Sequence, residues 1–268
     1  MARVKGIIEV TGNLKGVSIY TMRGSDQVIM RTKGGPSKRT IQTSESCKAL
    51  RENGQEWRGC TKTGSGIRRS LLPLSRLADY NFTGALNALC KKIQQADTEH
   101  EQGKRHILLS QNGKLLKGFN LNKTNPFDRV FRAIPECTFD REGVSMQVVI
   151  PEIIPALHLP EAFKLPYYRL VVTIGVATDW IYNEEGKMYE AVNPNLTGFA
   201  REKATEWFPA KKALSDLVIE FAQPQLAEVL TANDSLIFGL GIEYGNVDEN
   251  GLPVAVKYAG SAKIIGVL

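Results

Sequence analysis

Apolar and polar positions alternate near the amino terminus. Val4, Gly6, Ile8 and Val10 share one side of a strand over residues 4–10, and Val17 and Ile19 do the same over 16–22. Period two sends successive side chains to opposite faces of a strand, and the turn-rich segment 11–16 between the two runs predicts a hairpin. A third strand is expected over 27–31, after a turn at 24–26. So small a meander is too thin to stand without a partner surface.

Residues 32–40 combine turn formers with basic side chains and show no apolar period, which predicts an exposed, extended loop. The period then becomes helical. Cys47, Leu50, Gly54 and Trp57 fall at i, i+3, i+7 and i+10, one stripe of a helix over 44–59 with Ser44 or Ser46 as N-cap. Thr63-Gly64-Ser65-Gly66 is expected to break the chain there. Leu71, Leu74 and Leu77 suggest a short helix kinked or started at Pro73. Phe82, Leu86, Leu89 and Ile93 mark an amphipathic helix capped near Asn81 or Thr83.

From about residue 107 the period returns to two. Strands are expected over 138–140 and 144–150, joined as a hairpin, and then over 167–180, 217–221, 236–244 and 254–268. Short strands at this spacing indicate a mainly β protein with an α segment, an α+β fold whose larger part is an antiparallel β-sandwich of immunoglobulin-like or jelly-roll outline. Two domains are expected, 1–106 with the meander, basic arm and helices, and 107–268 with the sandwich. The Pro-containing connections 151–160 and 193–209 are long enough to be functional or intersubunit loops.

Several local motifs recur in a recognisable order. They are Lys5-Gly6, Gly12, the run from Gly16 to Tyr20, Arg31-Thr32-Lys33-Gly34-Gly35-Pro36-Ser37-Lys38, and Arg51-Glu52-Asn53-Gly54-Gln55-Glu56-Trp57-Arg58-Gly59, ending near Gly66-Ile67-Arg68. In these the chain resembles a family of uncharacterised Bacteroidota proteins that open on a K-G hairpin, continue through a basic R-x-K-G-G stretch and enter an R-E-N-x-x-E-aromatic-G helix. The resemblance covers roughly a quarter of the chain. It departs at Cys60-Thr61-Lys62 and Arg68-Arg69-Ser70, and it implies architecture without implying an activity.

Composition adds that the chain folds: 43 % of residues are hydrophobic and 23 % charged, close to ordinary globular usage. The first residues lack the apolar core and cleavage site of a secretory signal, and no apolar run reaches the length of a membrane span. A cytoplasmic protein without membrane insertion is therefore expected, although export that reads no amino-terminal signal would leave no such mark. Cys47, Cys60, Cys90 and Cys137 have neither zinc-ligand nor disulfide-framework spacing, so reduced thiols are expected. His100, His106 and His158 are few and scattered in sequence, and no metal or cofactor is expected.

Charge changes the picture most. Residues 1–76 carry 15 Lys plus Arg against 5 Asp plus Glu, while the remaining chain carries 19 against 23. A cationic end suits something anionic. Arg31, Lys33, Lys38, Arg39, Arg51, Arg58, Arg68 and Arg69 are the residues expected to contact a polyanion such as nucleic acid, or a neighbouring subunit.

Other candidate chemistry is weaker. Gly64-Ser65-Gly66 completes no phosphate-loop motif and reads as a hinge. Glu184, Glu185, Asp248 and Glu249 read as turn residues, and no nucleophile stands beside a histidine in a recognisable catalytic motif. The expectation is a non-enzymatic, self-assembling structural protein forming a homo-oligomeric ring or filament. The alternative is a sandwich module binding carbohydrate or protein through Trp180, Tyr182, Tyr189 and Trp207.

Overall fold

A computed structural model describes residues 2–4, 12–14, 16–22, 28–32, 34–160 and 163–268. The chain divides into two compact units, Met1–Arg51 and Glu52–Leu268. The expected boundary after residue 106 falls inside the second.

In the first unit β1 (Ala2–Val4), β2 (Gly12–Leu14), β3 (Val17–Thr21) and β4 (Val28–Thr32) form an antiparallel sheet in the order β1-β4-β3-β2. The expected second and third strands are present, with Ile19 opposite Met30 and Val17 opposite Thr32. Part of the expected turn is itself strand, since Gly12–Leu14 pairs with the start of β3. Beyond Val4, the expected first strand lies outside the described residues, as do the turn at 24–26 and Lys33. The loop expected over 32–40 gives way at Lys38 to a short helix, α1 (Lys38–Thr43). Ser37 starts it, its hydroxyl oxygen accepting the Thr40 N–H at 3.1 Å, as N-cap serines do. No residue of α1 is buried, so the helix leaves no apolar period in the sequence.

After a 3-10 turn at Glu45–Cys47 comes the longest helix, α2 (Lys48–Ser70). It runs straight through Thr63-Gly64-Ser65-Gly66, where a break was expected. The expected stripe is also on the wrong side: Cys47 is buried, but Leu50 is 53 % and Trp57 46 % exposed. The buried face instead carries Glu56, Gly59, Cys60, Thr63, Gly66, Ile67 and Ser70. These small side chains let neighbours press close to the helix axis. A Cβ on Gly59 would come within 2.8 Å of the Tyr189 ring, and one on Gly66 within 2.8 Å of Thr197 Oγ1. Packing of this closeness outweighs the helix cost of glycine, about 1 kcal/mol each relative to alanine.

The rest of the second unit is built around two long strands. A 3-10 turn at Leu72–Leu77, beginning beside Pro73 as expected, leads to α3 (Thr83–Gln95), whose Leu86 and Ile93 are buried together with Phe82 just before it. Strands were expected from residue 107, yet α4 (Leu109–Asn112), a 3-10 turn at Gly113–Leu116 and α5 (Phe127–Val130) come first. Their apolar residues, Leu109, Leu116, Phe127 and Val130, act as isolated pegs on short turns and follow no period.

The strands are β5 (Glu136–Asp140), β6 (Ser145–Ile153), β7 (Tyr167–Thr178), β8 (Trp180–Asn183), β9 (Met188–Ala191), β10 (Ala200–Ala204), β11 (Phe208–Pro209), β12 (Leu214–Ala222), β13 (Asp234–Val247) and β14 (Pro253–Val267), with α6 (Pro155–His158) after β6. All pairings are antiparallel. One sheet runs β10-β7-β13-β14 with β11 added on β7, a second runs β12-β6-β5, and β8 and β9 form a two-stranded sheet. Every expected strand has its counterpart here.

Both faces of β7 and β13 are buried. Leu170, Val172, Ile174, Phe238 and Leu240 pack with Met146, Val148 and Ile150 of β6 and Ile219 of β12. Val171 and Ile237, on the other face, join Ile67, Leu71, Leu74 and Leu86 from the helical segment. The layers are therefore helices, large sheet, small sheet. Gly239 and Gly241 alternate along the helix-facing side of β13, where Leu74 and Leu77 would meet a Cβ at 2.5 and 2.7 Å.

The outer edge of β14 is only half covered. Leu121 N–H donates to Ala262 O at 2.9 Å and Gly118 N–H to Ile264 O at 2.8 Å, which closes the carboxyl-terminal half. Among the described residues, 253–255 pair with β13 alone and 256–259 have no strand partner. Between the pairs Glu243–Gly260 and Gly245–Ala255, Tyr244 alone faces residues 256–259. That bulge bends the strand and turns Tyr258 outward with φ +64°.

Candidate polyanion-binding surface

Arg31, Lys38 and Arg39 of the first unit stand on exposed secondary structure. Arg31 is on β4, its guanidinium 5.4 Å from the Tyr20 ring centroid. Lys38 and Arg39 open α1 and are exposed. Arg51 is half-buried and serves locally: its Nη1 donates to Ile41 O and Ser44 O at 2.7 Å each, tying the end of α1 to the start of α2. Lys33 lies outside the described residues.

In the second unit, Arg58, Arg68 and Arg69 are exposed on α2 beside the exposed Trp57. Eleven residues separate Arg58 from Arg69, so both point to one side, about 16 Å apart along the axis. Lys62 lies between them, its ammonium donating to Tyr189 O at 2.7 Å. Among the described residues, none of Arg31, Lys38, Arg39, Arg51, Arg58, Arg68 and Arg69 forms a salt bridge. Arg76 differs, with Nη1 2.7 Å from Glu202 and Nε 2.9 Å from the buried Glu243, which also holds Arg169 at 2.6 Å.

Arg68 borders an open groove of about 660 Å³ that it shares with Ser75, Asp79, Tyr80, Asn81 and Tyr258. Tyr258 is 61 % exposed, presented there by the β14 bulge. Lys257 Nζ lies 4.9 Å from its ring centroid, and Lys123 Nζ lies 4.6 Å from that of Tyr80. The acid of this wall is occupied: Asp79 accepts the N–H groups of Lys123 at 2.8 Å, Thr124 at 2.7 Å and Asn125 at 3.3 Å. Desolvation works against its charge, and these hydrogen bonds outweigh that and hold its pKa below the usual carboxylate value. A guanidinium and two tyrosine rings around one groove, each ring with a lysine ammonium against it, are a donor set that suits a phosphate and an adjoining ring. Arg68 is among the cations singled out in the sequence, whereas Tyr80 and Tyr258 are not, because a long bulge and a loop bring them to it.

The aromatic residues expected to bind ligand are packed otherwise. Trp180 is 9 % and Tyr189 2 % exposed, both within the helix-facing core. Tyr189 OH donates to Arg105 O at 2.8 Å and accepts from Gln94 Nε2 at 3.0 Å. Tyr182 packs on Tyr189 at 5.4 Å. Trp207 stands apart from them, over Arg169 at 4.6 Å and against Gly245. The turn acids have local roles, Glu184 pairing with Lys104 at 2.7 Å and Asp248 accepting Leu252 N–H at 2.8 Å.

All four cysteines are free thiols, and burial pushes Cys60 up to about 11. The histidines are less scattered than their sequence spacing suggests, since His100 and His106 stack with ring centroids 3.7 Å apart.

No protein-family model, curated protein or solved structure matches the chain. Among the described residues, no helix is long and apolar enough to cross a membrane.

Proposed function

We propose that the chain is a non-enzymatic structural protein that associates with itself, its basic amino-terminal segment engaging an acidic surface of a neighbouring copy. One observation carries this reading: surfaces of opposite sign reside on separate parts of one chain. Residues 1–51 hold 10 Lys plus Arg against 3 Asp plus Glu. The strands β5, β6 and β12 hold Glu136, Asp140, Glu152, Asp216 and Glu220 and no basic residue at all. Glu136, Asp140 and Glu220 are exposed, on the face opposite the buried Val148 and Ile219. Asp140 and Glu220 also line an open depression of about 590 Å³, with Lys203 at its rim. Opposite charge on two different patches favours head-to-tail contact, which builds rings or filaments. In the same reading the two apposed sheets are a sandwich of immunoglobulin-like or jelly-roll kind, flanked by helices on the large sheet.

A second reading has its own support. The groove at Arg68, Tyr80 and Tyr258 suits an anionic polymer such as single-stranded nucleic acid. Carbohydrate or protein binding through Trp180 and Tyr189 has less, because neither ring offers an open face.

Light scattering across a salt series tests the proposal. Apparent mass is expected to fall as salt rises. Reversing Lys38 and Arg39 to Glu, or Glu136 and Glu220 to Lys, should each weaken association, and mixing the two variants should restore it. Nucleic-acid titration of the Arg68→Ala and Tyr258→Ala variants separates the second reading. A monomer at every salt concentration that binds no nucleic acid would overturn both.

A further inference from the structure

We propose a divalent transition-metal site formed by Asp97, His100 and His106. One ligand atom from each lies within 4.8 Å of the others. Two of the three histidines in the chain thus converge on one carboxylate, in the loop that leaves α3 and enters the Ile107–Trp180 bridge.

The carboxylate is held in place by its own loop. Asp97 Oδ2 accepts the His106 N–H at 2.6 Å, and Oδ1 accepts those of Glu99 at 3.0 Å and His100 at 3.3 Å. The Asp97 side chain is only 4 % exposed. Backbone donors of this kind fix the orientation of a ligating carboxylate. His100 Nδ1 lies 2.9 Å from Asp97 Oδ2, so an ion bound to both, about 2 Å from each and off the line between them, would displace the shared proton and leave the ring as its Nε2–H tautomer. His106 stacks on His100 with 29° between the ring planes. Burial, and then the nearness of His100, hold the His106 pKa below the ordinary histidine value.

Two imidazoles and one carboxylate are a borderline donor set, suited to Zn²⁺, Co²⁺ or Ni²⁺ rather than to Ca²⁺ or Mg²⁺. His100 and His106 are both half-buried, which leaves coordination positions to water. An ion here ties the end of α3 to the segment before Ile107, closing the loop 97–106 from within. The D-x-x-H-x-x-x-x-x-H spacing matches no standard metal motif, so only the folded loop reveals it.

Zn²⁺ titration of the full chain by calorimetry, with thiols alkylated beforehand, tests the site. About one ion per chain is expected. His100→Ala and His106→Ala should each weaken binding by about tenfold or more. His158→Ala should leave it unchanged, since His158 Nδ1 sits at α6 accepting the Ile154 N–H at 3.0 Å. NMR of the unaltered chain reads the same point without risk to folding: Zn²⁺ should shift the ring resonances of His100 and His106 and leave those of His158 in place. Absence of Zn²⁺ uptake, uptake indifferent to both histidine changes, or rings that do not respond would each overturn the proposal.

Discussion

At the scale of single residues, Glu56 has the most consequence for its size. It is 1 % exposed, and its carboxylate meets the Lys91 ammonium and accepts Gly103 N–H at 2.9 Å. Gln94 completes the surroundings, accepting from Lys91 Nζ at 3.0 Å and from Cys60 Sγ at 3.3 Å. A buried charge is tolerated only with partners of this kind. Glu56→Ala strands Lys91 and an amide N–H, and a loss of about 2–3 kcal/mol is expected in urea unfolding. Sequence reading saw Glu56 as one letter of an R-E-N-x-x-E run and could assign it no face. A carboxylate counts as solvent-facing in any hydrophobic pattern, and its partners lie 35 and 47 residues further along the chain.

The element that most departs from its sequence pattern is α2, for the same physical reason. Apolar periodicity placed the buried stripe on Leu50 and Trp57, whereas burial follows Gly59, Thr63, Gly66 and Ser70. Small residues are buried by closeness, which no hydrophobicity scale records. Ser70 Oγ donates to Val176 O at 2.5 Å, a contact that needs a helix lying almost on the strand. Two glycines of α2 should therefore respond in opposite ways. A Cβ at Gly54 meets nothing within 4 Å, so Gly54→Ala should raise stability by about 0.5–1 kcal/mol. Gly59→Ala drives a methyl into the Tyr189 ring and should lower stability by about 1–3 kcal/mol. Thermal unfolding of both variants checks the contrast. The strands were legible because β5, β6 and β12 alternate plainly, and β7 and β13 are long apolar runs. Which layer covers β7 and β13 on each side was not, since strands buried on both faces carry no sign of what lies above them.

For the whole molecule, the division at Arg51 separates a strongly cationic first unit from a second that is close to neutral, with 24 Lys plus Arg against 25 Asp plus Glu. A chain beginning at Lys48 keeps α2 entire, together with both sheets and their cores. It is expected to unfold in one cooperative transition by calorimetry and to stay monomeric in light scattering at low salt. Self-association that survives this truncation would assign the contact to the second unit alone. The cationic candidates were legible because charge is counted directly from sequence. Their separation into the half-buried Arg51, the helix-borne Arg58 and Arg69, and the groove-lining Arg68 required the fold.

The half-bare rim of β14 constrains how such a body can grow. A naked strand edge invites a stranger to zip on through its backbone, the route by which sheets thicken into insoluble fibres. Here Lys257 and the kink at Tyr258 guard that rim, and the chain further along is roofed by residues 118–122. Lateral zippering is disfavoured there, so the self-association proposed above would have to run through side-chain attraction, and its products would come apart when brine replaces buffer.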